Sequence, residues 1–146
     1  MAALQQHWKN LSVSLADAIF TISMNRPKVN AMSFGLLTDL EQAFDHASKI
    51  DHIKGVHLRS GLGLSDMHER CVKRHRPTID KFVFDTISRG ATVPLCCSKP
   101  VACSLDGHAL ACDYIAIGTR KAFRISVTEL AVGVPFPTIP FEIMRH

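Results

Sequence analysis

Hydrophobic residues fall at every second position over residues 11–24, LSVSLADAIFTISM: Leu11, Val13 and Leu15, then Ile19, Ile22 and Met24, with either Phe20 or Thr21 completing the second set. Alternation of period two marks a strand with one face on a core, and Asp17 interrupts it where a turn belongs. The segment therefore predicts a β-hairpin. Pro27 ends strand pairing, and the period then lengthens. Leu36, Leu37, Leu40, Ala43, Phe44 and Ala47 recur at helical spacing, which predicts a helix over residues 34–50. HIKGVHLRSG follows as a strand over residues 53–58 that closes at Ser60 and Gly61. The order β-β-α-β defines a mixed α/β domain. Val13, Ile22, Leu40, Phe44, Val56 and Val101 are the expected core, and residues 53–58 are expected to share a sheet with residues 100–105.

Further along, Pro77 opens a segment in which Ile79, Phe82, Val83 and Ile87 keep helical spacing as far as Ser88 and Gly90. KPVACSL reads as another strand, and SLDGHALACDYIAIG as strand, tight turn, then strand or helix. The last stretch holds Pro135, Pro137 and Pro140 and reaches a helix start without completing it. With no internal repeat and no low-complexity linker, residues 1–146 read as a single truncated domain.

Composition narrows the function classes. At 146 residues and 47% hydrophobic, the chain can bury one core, and a net charge of +4 suits a small anionic ligand. That excess is too mild for a protein dominated by phosphate-backbone contacts, so nucleic acid is not expected as a partner. The five cysteines, Cys71, Cys96, Cys97, Cys103 and Cys112, are odd in number and lack a C-x-x-C pair. They fit reduced thiols in an intracellular, cytoplasmic setting better than a disulfide framework. The N-terminal MAALQQHWKNLSVSL has neither a signal nor a transit pattern, and no run approaches the ~20 apolar residues of a membrane span.

Four motifs in order, NRPKVNAM, GVHLRSG, KPVACSLDGHAL and TELAVGVPFP, resemble those of the enoyl-CoA hydratase/isomerase family, the crotonase superfamily. The resemblance covers nearly all of this chain and only the front part of the family's domain. It implies a partial crotonase-like β-β-α spiral without the C-terminal helices that mediate trimer formation. It implies an acyl-CoA thioester as substrate, no separate cofactor, and a homo-oligomer or a full-length family subunit as partner. The family's shared chemistry stabilises a thioester enolate with two backbone N–H groups, a device that often supplies the largest rate term in such reactions.

Within that resemblance Glu129 of TEL matches the family's second catalytic glutamate, a carboxylate that works as acid or base when partial burial raises its pKa. Ser60 takes the place of the residue whose amide forms half of the oxyanion hole, and Gly63 stands where an Asp is usual. Lys28 and Val29 match the part of the first motif that lies along CoA, with Asn30 as a turn or cap residue beside them. A surface Glu and a solvated Lys are the plainer readings of Glu129 and Lys28.

Two departures bear on activity. In the family the G-x-A turn continues into a glycine run and about two turns of helix before an A-C-D segment, whereas here Gly107-His108-Ala109-Leu110 runs directly into Ala111-Cys112-Asp113. An internal deletion is implied, removing the second amide and the first of the two glutamates that a hydratase uses. The loop after LRSG is also short. One remaining carboxylate suits an isomerase better than a hydratase, and a catalytically incompetent remnant that binds acyl-CoA or another subunit is the alternative.

Other signals are weaker. His68, Cys71 and His75 share a helical face, but the neighbouring Arg70, Lys73, Arg74 and Arg76 repel a cation, so a solvated basic face is the simpler account and no metal is expected. His108 reads as a packed turn histidine. The G-L-G at residues 61–63 lacks the third glycine of a dinucleotide fingerprint.

Overall fold

The structure is a computed structural model that describes residues 7–26, 33–60, 89, 92–105, 113–117, 142 and 145. Its frame is a five-stranded sheet in sequential order, β1 (Leu11–Ala16), β2 (Ile19–Met24), β3 (Gly55–Ser60), β4 (Val101–Leu105) and β5 (Tyr114–Ile117). Helix α1 (Phe34–Lys49) lies between β2 and β3 in the chain. The first pair is antiparallel and every later pair is parallel. The mixed α/β frame and its β-β-α-β opening follow from the hydrophobic period. The third strand sits two residues further along than the alternation indicates, because Ile53 is buried in the approach to it.

The hairpin turn is made by Asp17 at φ 48° and Ala18 at φ 63°, both left-handed. Two such residues give the backbone twist that matches paired strands, although Ala at the second position carries a Cβ where Gly carries none. The turn sets a register in which Val13 faces Ile22 and Leu15 faces Phe20. Phe20, rather than Thr21, is the inward residue, and it is fully buried.

Parallel pairing extends these inward positions across the sheet. Leu15, Phe20, Val56 and Val101 form one row, and Val13, Ile22, Leu58 and Cys103 form the next. Ile22, Val56 and Val101 are buried as expected, while Val13 is half-buried because β1 is the first strand of the sheet. Full burial of a Val, Ile or Phe side chain is worth roughly 1.5–3 kcal/mol, so these two rows form one half of the hydrophobic core.

α1 covers this face with Leu36, Leu37, Leu40, Ala43, Phe44 and Ala47, all buried and all on the stripe read from the sequence. Its start is capped by Ser33, whose Oγ accepts from the Leu36 amide at 3.3 Å. Asp39 clamps the helix to the segment before β1, accepting from the Asn10 backbone amide at 2.9 Å and from Asn10 Nδ2 at 2.8 Å. Trp8, the one tryptophan of the chain, closes this end of the core edge-on to His46, with ring centres 5.8 Å apart. The segment around Ile79, Phe82, Val83 and Ile87 lies outside the described residues.

Candidate functional site

Parallel strands point their carboxyl ends the same way, and in open α/β sheets ligands bind along that edge. Here β2, β3, β4 and β5 bring Met24, Ser60, Leu105 and Ile117 to it. Ser60 is the last residue of β3 and pairs in register with Met24. Glu129, Lys28 and Val29 lie outside the described residues, as do Asn30, Gly63, His108, Cys112 and the trio His68, Cys71 and His75. Of the residues chosen from sequence, the structure therefore positions Ser60 alone.

The links between the parallel strands are unequal. Residues 25–54, α1 among them, join β2 to β3, and residues 61–100 join β3 to β4. Residues 106–113 alone join β4 to β5. A parallel crossover ordinarily takes a dozen or more residues and carries a helix. The short link is also where the sequence departs from the G-x-A and glycine-run pattern.

Its far end is fixed by Asp113, whose Oδ2 accepts a hydrogen bond from the Val101 backbone amide at 2.7 Å. The carboxylate thus ties the residue just before β5 to the first residue of β4. Sequence reading passed over Asp113 except as part of A-C-D. An acceptor-only side chain immediately before a strand was the available signal.

Beyond the edge, the outward face of β2, β3 and β4 carries polar residues beside Ile19 and Ala102. The register sets Thr21 beside His57, and Ser23 beside Arg59 beside Ser104. His57 Nε2 and Ser104 Oγ are 2.8 Å apart. A separate open groove of about 260 Å³ runs along α1, lined by Glu41, Asp45, Ser48, Arg89, Thr92 and Cys96 among others. Glu41 holds Arg89 there through a bond from Nε at 3.0 Å and a second from the terminal nitrogen at 2.7 Å. Cys96, Cys97 and Cys103 are free thiols. Among the described residues no three His, Cys, Asp or Glu side chains converge as metal ligands, and no helix is long and apolar enough to cross a membrane.

This architecture is that of known enzymes. An enoyl-CoA hydratase from Bacillus anthracis superposes with a TM-score of 0.61 at 22% identity, over 75% of this chain and 47% of its own. An enoyl-CoA hydratase/isomerase family member gives 0.68 at 19%, over 90% of this chain and 55% of its own. DspI from Pseudomonas aeruginosa gives 0.64 at 18%, over 86% and 55%. The fold is therefore the crotonase fold, in agreement with the resemblance seen in the motifs, and the chain spans about half the length of these structures. No protein-family model and no curated protein sequence matches the chain.

Proposed function

We propose that the protein is a crotonase-type acyl-CoA protein whose enolate chemistry is impaired. Shared fold over three quarters or more of this chain supports the acyl-CoA part of this reading. The eight residues 106–113 between two parallel neighbours support the impairment, and they are the observation that carries the proposal. In the crotonase scheme the thioester oxygen, negative in the enolate, is held by one amide after β3 and one after β4. Ser60 contributes the first, at the carboxyl end of its strand. The second requires a glycine-rich helix start, and the eight residues 106–113 fall short of the dozen or more that a parallel crossover carrying a helix takes.

Glu129 supplies the single matched acid/base group, moving a proton at the carbon next to the thioester, and Lys28 and Val29 lie along CoA. With one carboxylate, shifting a double bond is within reach of this set and adding water across it is not, since hydration here uses two. Loss of one oxyanion donor costs about 2.7–4 kcal/mol in the transition state, or roughly 10²–10³ in rate. A catalytically incompetent protein that binds acyl-CoA, or docks on a full-length family subunit, is the second reading. The same short link favours it.

The test pairs binding with turnover. Calorimetric titration with a short acyl-CoA should give a saturable isotherm, while hydration of a crotonyl thioester should run at least ~10²-fold below a full-length family enzyme. Comparable hydration by both proteins overturns the impairment, and absence of binding overturns the acyl-CoA reading.

A further inference from the structure

The outward sheet face carries a group of side chains that the enolate chemistry does not use. Ser104 Oγ lies 2.8 Å from His57 Nε2, and both residues are half-buried. Arg59 is the in-register neighbour of Ser104 on β3, so their side chains leave the sheet on the same side. Partners across parallel strands stand ~4.8 Å apart and positions two along a strand ~6.6 Å apart, so the three side chains leave the sheet within reach of one small molecule. Among the described residues no carboxylate is paired with Arg59 in an ion pair. The other residues on these two rows are Ser12, Ser14, Thr21, Ser23, Ala102, Tyr114 and Ala116, none of them acidic.

A hydroxyl within hydrogen-bond reach of an imidazole nitrogen, on the same sheet face as a permanent cation, supplies three parts of nucleophilic acyl transfer: nucleophile, base and electrostatic support for an oxyanion. We propose that Ser104, His57 and Arg59 form a second reactive site, one that takes the acyl group of an activated carboxylic ester. With the imidazole proton on Nδ1, Ser104 donates to Nε2. As Oγ bonds to the ester carbonyl carbon, its proton passes to Nε2, and Arg59 faces the negative oxygen of the tetrahedral adduct. Collapse breaks the bond to the leaving group, which departs with the proton from Nε2, leaving acyl-Ser104. Water repeats the sequence in the second half, releasing the carboxylic acid and restoring the hydroxyl.

The probe is an alkyl fluorophosphonate, which reports an activated serine directly: an Oγ–P bond forms, the P–F bond breaks, and fluoride leaves. Treatment of the folded protein followed by peptide mass mapping should place one adduct on Ser104. Ser104→Ala should abolish it, and His57→Gln should slow labelling by roughly 10²–10⁴, the range of a general base. Ser23→Ala, on the same face but outside the trio, should label like the parent chain. Circular dichroism and melting of each variant separate loss of reactivity from loss of fold. An adduct absent from Ser104 in the folded parent chain, or labelling of Ser104 in a folded His57→Gln protein at the parent rate, overturns the assignment.

Discussion

Two of the parallel crossovers in this sheet solve the same geometric problem with very different lengths of chain. Between β2 and β3, residues 25–54 leave the sheet, form α1 with six buried apolar residues, and return through Ile53, which is itself fully buried. Between β4 and β5 there are only residues 106–113, and at their described end the anchor is a polar one, Asp113 on the Val101 amide. The first crossover is held by the hydrophobic core, whose strength grows with apolar area. The second link, at its described end, rests on a charged hydrogen bond worth a few kcal/mol at most. The sheet thus keeps its strand order across links of 30 and eight residues that are anchored by different physics.

The sharpest way to break this contrast is to remove the apolar anchor of the long crossover. Phe44 is 3% exposed on α1, and Phe44→Ala should cost about 3–5 kcal/mol in denaturant unfolding, from lost transfer energy and the cavity left behind. A loss under ~1 kcal/mol would mean that α1 is not what secures β2 and β3. The corresponding change in the short link is Asp113→Ala, which leaves the buried Val101 amide without its acceptor. About 1–3 kcal/mol is expected, with hydrogen exchange at Val101 rising well before exchange at Val56. Equal exchange gains at both amides would show that the two crossovers open together.

How these regions were legible from sequence follows the same division. The α1 stripe could be read residue for residue because neighbours three and four apart in sequence are neighbours in space. The hairpin was legible too, although alternation alone left Phe20 and Thr21 open until the turn of Asp17 and Ala18 fixed the register. Trp8, Asp113 and the His57–Ser104 pair escaped. Their partners lie far away in the chain, 47 residues in the last case, and no local period encodes such a distance. Of the candidate site, Ser60 was placed by the strand that ends on it, whereas Glu129, Lys28 and Val29 rested on motif resemblance alone and fall outside the described residues.

A smaller effect tests how the long crossover lands. The Lys54 amide donates to the Ala18 carbonyl at 2.8 Å, so the chain returning from α1 docks on the hairpin turn. Ala18 holds φ 63°, a region that disfavours any Cβ by roughly 1–2 kcal/mol. Ala18→Gly removes that penalty and gives back part of it through the freer unfolded chain, for a net gain of about 0.5–1 kcal/mol. The melting midpoint should rise; a fall would mean that the turn does not hold this conformation in solution.

The smallest expected effect addresses the short link directly. Doubling a flexible loop adds about 0.6 kcal/mol of closure cost, so eight Gly/Ser residues inserted between Leu105 and Asp113 should lower stability by roughly that amount if residues 106–113 already span the gap without strain. The insertion leaves the Asp113 bond to Val101 and the pairing of β4 with β5 in place, so chain length is its only intended change. Were the native link stretched, the added residues would relax it and stability would rise instead. Chemical denaturation of the parent and inserted chains decides between the two by sign. A rise would identify 106–113 as a strained connection; a loss near ~0.6 kcal/mol would establish that a parallel pair in this fold tolerates an eight-residue link at little cost to the sheet.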